Sequence, residues 1–289
     1  MQELDLLILG AGWTSTFLIP LLKSRHQTYA ATTTTGRDDT IKFRFDPSAS
    51  DSSYFSILPT ARNVLITFPL VGTGQSKLLV SSYLSTRPHT SSATARFMQL
   101  GSTGIFQIPT QPLWVSRHSQ YDTENKRAVA EDELIALGGC VLNLAGLWGG
   151  PRDPRHWVDR VAQTKEQVKT KTSLHMVHGV DVARAILAVF ERWDSAKAPG
   201  RWMLTDGFVY DWWALFAGWA DVEEDPKIVS DIERGHNEPK PRQQSSWVYE
   251  LMQEEGVQAL PRSMERLGRC YDSREFWTTF GITPLRARI

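Results

Sequence analysis

Gly10-Ala11-Gly12 is the segment whose residue types and spacing most directly imply chemistry. A glycine at the first position permits a tight turn. A second one two residues on lets the backbone approach a pyrophosphate, where the free N–H groups and dipole of a following helix favour an anion. The third glycine of the full Gly-x-Gly-x-x-Gly pattern is replaced by Ser15; that position serves close helix–strand packing, which a small serine tolerates. Gly10, Gly12, Trp13, Thr14 and Ser15 are therefore read as one cofactor-binding turn, against the plainer reading of a strand-to-helix turn that holds nothing.

A second strand candidate runs into Thr32-Thr33-Thr34-Thr35-Gly36-Arg37, with no carboxylate before Asp38. An acid here would bind the free ribose hydroxyls of NAD. Hydroxyls followed by an arginine suit a ribose phosphate, because guanidinium pairs with phosphate through two parallel hydrogen bonds. Thr34 and Arg37 are read as the discriminating contacts, with NADP favoured over NAD, while Arg37 as a solvated loop charge stays open as the alternative. Pro69, directly after the strand candidate Val64–Phe68, joins the cofactor-binding set.

The elements that must hold these residues follow from periodicity. Leu4–Leu9 is a continuous apolar run, which over so short a length suits a strand buried on both faces. Trp13–Lys23 then carries Phe17, Leu18, Leu21 and Leu22 at helical spacing. Further strands are expected at Thr28–Thr33, Ile41–Phe45, Val64–Phe68, Phe97–Leu100, Val141–Leu144 and Arg201–Thr205, and helices at Ser76–Leu84, Thr123–Leu137 and Asp181–Phe190. Strands alternating with helices predict an α/β fold, a Rossmann-type doubly wound parallel sheet. After Asp206 the alternation is lost. Trp212, Trp213, Phe216 and Trp219 crowd together, followed by the proline-bearing Glu238-Pro239-Lys240-Pro241 and a helical Trp247–Glu255. The expected division is a dinucleotide-binding domain over 1–205 and a smaller, mainly helical substrate-side domain over 206–289, with the tryptophans as its core. The stretches at Thr32–Thr35 and Ser81–Ser92 are polar but short.

Composition narrows the partners. Lys+Arg and Asp+Glu both total 32 in 289 residues, so the chain has no general attraction for nucleic acid or an acidic membrane surface. A small-molecule substrate is the expectation, with no nucleic acid and no membrane. Cys140 lies in an apolar run and Cys270 is the only other cysteine, which makes neither a disulfide framework nor a metal site and favours a reducing compartment. The N-terminal residues show no series of basic, apolar and small residues, and no apolar stretch approaches the ~18 residues of a membrane span. The expected location is cytoplasmic.

Four segments carry a resemblance beyond the glycine turn: Leu7-Ile8-Leu9-Gly10-Ala11-Gly12-Trp13, Leu100-Gly101-Ser102-Thr103-Gly104-Ile105-Phe106, Leu144-Ala145-Gly146-Leu147-Trp148-Gly149-Gly150-Pro151-Arg152, and Val177-His178-Gly179-Val180-Asp181-Val182-Ala183-Arg184-Ala185-Ile186. In order and approximate spacing they resemble the extended short-chain dehydrogenase/reductase superfamily, especially its atypical members related to NAD-dependent epimerases/dehydratases, over about residues 4 to 205. The resemblance implies NAD(P) binding in the large domain and a substrate cleft against the C-terminal part. It makes Ser102, with Thr103 beside it, the catalytic hydroxyl that bonds a substrate oxygen; the alternative is that both only cap a strand end.

The family's catalytic Tyr-x-x-x-Lys pair is missing. Ala130-Glu131 matches a downstream Ala-Glu, and counting back puts Arg127 at the lysine position and Thr123 at the tyrosine position. Tyr121 and Lys126 are five residues apart, off any one helical stripe. Tyr121, just before a helix capped by Asp122 or Thr123, is the replacement expected to point into the cleft, and Arg127 the residue that holds the nicotinamide ribose. Arg152, in the turn leading to Asp153, Arg155 and His156, is the expected ligand-facing cation on the substrate side. His178 and Asp181 are read as packing residues of the late helix, and His175 with His178 lacks the further ligands a metal needs. The resulting expectation is an NADP-dependent oxidoreductase or epimerase-like enzyme, with a non-catalytic NADP-binding sensor or a non-redox enzyme of the same cleft as alternatives.

Overall fold

The leucines of the first strand divide between two cores. In β1 (Leu4–Leu9), Leu6 and Ile8 face one hydrophobic cluster while Leu7 and Leu9 face the other. Successive strand side chains point to opposite faces, so an unbroken apolar run is what a sheet covered on both sides requires. The computed structural model describes residues 3–49, 51–87, 95–109, 112–220, 241–287 and 289; Glu238–Lys240 and the end of the polar 81–92 stretch lie outside them.

Around β1 are β2 (Tyr29–Thr33), β3 (Ile41–Lys42), β4 (Ala61–Ile66), β5 (Arg96–Ser102), β6 (Cys140–Leu144) and β7 (Gly200–Leu204). They form one seven-stranded sheet in the order β7-β6-β5-β4-β1-β2-β3, with every pairing parallel. Helices α1 (Ser15–Ser24), α4 (Gly179–Glu191) and α7 (Arg274–Phe280) cover the Leu6/Ile8 face, and α2 (Gln75–Ser85) and α3 (Lys126–Ala136) the other. Strand order reverses between β1 and β4, and at such a switch point the loops leaving the strands diverge and open a crevice at their carboxyl ends. This is the α/β doubly wound fold expected from the sequence.

Several boundaries differ, each for a local reason. β4 ends at Ile66, and Thr67, Phe68 and Pro69 form the loop beyond it. α3 starts at Lys126: Asn125 caps it by accepting from the Arg127 amide, and the Asp122 carboxylate accepts from the Glu124 and Asn125 amides. Thr123 is therefore in a turn and not in the helix. Trp13 likewise precedes α1.

The tryptophan-rich segment does form a second core, but not one bounded at residue 206. Trp212, Trp213, Phe216 and Trp219, on and after α5 (Trp212–Gly218), pack with Val248 and Leu251 of α6 (Gln243–Glu254). Val158, Ala162 and Val168 belong to the same cluster. Phe276, Trp277 and Phe280 of α7 return to the first core, against Trp202. The segment between β6 and α4 thus contributes to the second lobe before the last strand is laid down. Asp211 caps α5 and accepts Arg262, whose guanidinium stacks over Trp213 at 4.0 Å. No helix among the described residues is long and apolar enough to cross a membrane.

Candidate functional site

The turn after β1 is held from both neighbouring strands. The Gly10 amide donates to Thr32 Oγ1 (3.0 Å), the Ala11 amide to the Thr32 carbonyl, and the Thr67 hydroxyl to the Gly10 carbonyl. Gly10 has φ +96, and a Cβ there would lie 2.6 Å from Thr67 Oγ1, so glycine is demanded by conformation and by space. At Gly12 a Cβ would meet nothing within 4 Å. Among the described residues, the amides of Trp13 and Thr14 have no hydrogen-bond acceptor. They are unspent donors at the start of α1, the arrangement that receives a phosphate. Ser15 is buried at the third-glycine position, and its hydroxyl has no partner among the described residues.

A cleft of about 370 Å³ opens here. Gly12, Trp13 and Thr14 line it after β1, Thr67 and Pro69 after β4, Gly101 and Ser102 at the end of β5, Leu144, Ala145 and Leu147 along and beyond β6, with Arg127 from α3 and Arg152. Among the described residues no carboxylate, histidine or tyrosine lines it. Seven of the residues singled out from sequence thus share one cleft: Gly12, Trp13, Thr14, Pro69, Ser102, Arg127 and Arg152. Thr34 and Arg37 stand exposed on the loop after β2, outside its lining. There the Thr33 hydroxyl accepts from the Gly36 and Arg37 amides. Among the described residues the Arg37 guanidinium has one ion pair, with Asp38 at 3.8 Å and largely solvated, a contact worth little.

Two expected catalytic residues lie elsewhere. Thr103 is buried, and its hydroxyl donates to the Leu144 carbonyl (3.3 Å). Tyr121 donates to Asp132 Oδ1 (2.9 Å), and its ring lies beneath the Arg201 guanidinium at 4.6 Å. Burial first, and then the Asp132 carboxylate, push its phenol above the ordinary tyrosine range, so it is a poorer acid at neutral pH. The cause of the misplacement is a charged network whose members are remote in sequence: a chain reading could place Tyr121 before α3 but not Arg201 over it.

That network supports Ser102 from behind. Arg201 pairs with Glu131 and Asp132 and donates to Asn143 Oδ1 (2.9 Å). Asn143 Nδ2 donates to Glu131 Oε2 (2.9 Å) and to the Ser102 carbonyl (3.1 Å). Gly101 packs directly on Glu131, where a Cβ would fall 2.4 Å from the carboxylate. Glu131 is fully buried, and burial pushes its carboxyl above the usual range against the pull of Arg201. The matching of Ala130-Glu131 to a family pattern located this residue, but only the fold gives it partners.

Ser102 Oγ accepts from the Gly104 amide (3.1 Å). Its own proton has no acceptor among the described residues, so the hydroxyl can donate to a ligand oxygen in the cleft. His178 caps α4 by accepting from the Val180 amide (3.1 Å), and Asp181 accepts from the Leu285 and Arg286 amides. His175 accepts from the Tyr271 amide, and burial pushes its pKa down to about 3. Among the described residues no cluster of three or more His, Cys, Asp or Glu could hold a metal.

No family model matches the chain, and no curated protein matches its sequence. Solved structures do match. A yeast methylglyoxal/isovaleraldehyde reductase complexed with NADPH superposes with TM-score 0.58 at 13% identity, covering 98% of this chain and 94% of the reductase. A human epimerase family protein with NADPH gives 0.53 at 11%, covering 97% and 95%. The UDP-N-acetylglucosamine 4-epimerase of Bacillus cereus gives 0.52 at 11%, covering 90% and 99%. The chain shares the fold of these reductase and epimerase structures along nearly its whole length.

Proposed function

We propose that this chain binds NADP in preference to NAD and uses it as an oxidoreductase or epimerase-like enzyme on a small organic molecule. The observation that carries the reading is the pair of free amides at Trp13 and Thr14, at the strand switch point and in one carboxylate-free cleft with Ser102 and Arg127. Open space over Gly12 is what a pyrophosphate needs. Two of the structures that share the fold are complexes with NADPH. Cys140 and Cys270 are free and buried, in keeping with a reducing, cytoplasmic setting.

Bound nicotinamide supplies or accepts a hydride. Ser102, which accepts from the Gly104 amide and keeps its own proton uncommitted among the described residues, directs that proton at the substrate oxygen and stabilises charge developing there. Arg127 offers guanidinium N–H donors and no acceptor, so it holds the ribose without acting as a base. With Tyr121 bound to Asp132, proton transfer falls to water at Ser102. In a screen of carbonyl compounds with NADPH consumption as readout, Ser102→Ala should lower turnover ~10²–10³-fold. Tyr121→Phe should leave turnover within ~3-fold, since the contribution expected of a true general acid is ~10²-fold or more. Turnover that survives Ser102→Ala overturns the assignment.

Cofactor choice has its own test. Wild type should bind NADPH at least ~10-fold more tightly than NADH, and Arg37→Ala should abolish the difference, because a charge-assisted phosphate contact contributes ~1.5–3 kcal/mol. Equal affinities in wild type would refute NADP preference. The absence of a tyrosine from the cleft lining favours one second reading, a non-catalytic NADP-binding sensor. Tight NADPH binding with no oxidation of any carbonyl or alcohol tested would select it.

A further inference from the structure

The guanidinium of Arg152 lies 4.4 Å from the centre of the Trp13 indole. Trp13 is the residue whose own amide is one of the two free donors of the nucleotide turn. Its indole is fixed in place: Nε1 donates to the Gly149 carbonyl (3.0 Å), and the ring meets Phe17 edge-on at 5.0 Å. Arg152 is fixed in turn by a tight reversal, with the Gly149 amide donating to the Arg152 carbonyl (2.9 Å) and the Arg152 amide to the Gly149 carbonyl (3.2 Å). Gly149 has φ +110, and a Cβ on it would fall 2.3 Å from His178 Nε2. The reversal is therefore seated on the cap of α4 and, through Phe17 against His178, on α1.

These contacts register Arg152 to the nucleotide turn. Nothing neutralises it: Arg152 has no ion pair among the described residues, and no carboxylate among them lines the cleft. A planar cation stacked on an aromatic face keeps its N–H groups at the rim, in position for a doubly charged acceptor. We infer that Arg152, stacked on Trp13, clamps the pyrophosphate of the dinucleotide and is not a contact to the substrate. The role rests on the dinucleotide reading proposed above. It also makes Trp13 a positioning residue that carries the arginine across the cleft.

The test compares two probes, NADPH and adenosine 2′-monophosphate, which keeps the adenosine and its 2′-phosphate but has no pyrophosphate. Both are titrated against wild type, Arg152→Ala, Arg152→Lys and Trp13→Phe, with circular dichroism as the folding control. Arg152→Ala should weaken NADPH ~10- to 100-fold, the range of a lost charge-assisted contact, and leave adenosine 2′-monophosphate within ~2-fold. Arg152→Lys keeps the charge without the planar fork and should fall between, as should Trp13→Phe, which keeps an aromatic face and loses the bond to Gly149. Unchanged NADPH affinity in Arg152→Ala overturns the clamp while leaving the cofactor reading intact. So does equal weakening of both probes, which would mark a general field effect. A wild type that binds neither NADPH nor NADH overturns both.

Discussion

Gly12→Val should yield a folded protein with NADPH and NADH binding weakened by more than ~100-fold, the loss expected when a side chain fills the space of the pyrophosphate. The fold survives because a Cβ at Gly12 meets nothing within 4 Å and the position does not need a left-handed backbone. The branches of valine extend into the cleft that Gly12 lines, over the free Trp13 and Thr14 amides. Gly10→Ala is the control with the opposite outcome. Its φ of +96 and the 2.6 Å approach to Thr67 Oγ1 strain the backbone, so stability falls by ~1–3 kcal/mol. Isothermal titration and thermal melts of both variants separate the ligand-facing glycine from the structural one. Wild-type nucleotide affinity in a folded Gly12→Val protein would show that the turn holds no phosphate.

The second large effect is on stability. Arg201→Leu should cost ~3–5 kcal/mol, because it strands the carboxylate of Glu131 at a fully buried position. Among the described residues Glu131 would retain Asn143 Nδ2 and the Ser102 backbone as its hydrogen-bond partners, neither of them charged. Its carboxyl is already raised by burial with Arg201 present, and without that cation it rises further. The sign of the pH dependence follows. A carboxyl whose folded pKa lies above its unfolded value binds more protons in the native state, so its stabilising contribution is complete below the unfolded value and is lost as pH rises through the folded one. The variant should therefore lose more stability relative to wild type at pH 8 than at pH 5. Adding Glu131→Gln should recover much of the loss and flatten the pH dependence. Urea denaturation of wild type and the two variants at both pH values checks this, and a pH-independent loss would mean that Glu131 is not the stranded group. Because Asn143 also bonds the Ser102 carbonyl, disturbance here reaches the cleft.

The strands and the glycine turn were legible because their causes are local. Leu4–Leu9 has to lie in a doubly covered sheet, since neither face of such a run tolerates water, and Gly10 and Gly12 act through the backbone of one short turn. Element ends were less legible. Val64–Phe68 is apolar but for Thr67, yet the strand stops at Ile66, and the Thr67 hydroxyl beyond it bonds the Gly10 carbonyl. The second lobe was legible as an aromatic core but not in its membership, because Val158 and Val168, remote in sequence from the tryptophans, join it while Phe276 packs in the other core.

By itself, then, the sequence determined the doubly wound sheet and the glycine turn after its first strand, both consequences of apolar period and backbone freedom. Tertiary structure decided which side chains face the cleft. Ser102 and Thr103 are adjacent hydroxyls, but the strand and the turn after it point one into the cleft and the other at the Leu144 carbonyl. Tyr121 is claimed by Asp132 and Arg201, and Arg152 by Trp13. In each case the partner is remote in sequence, so the energy that fixes the side chain exists only after the sheet has brought the two together.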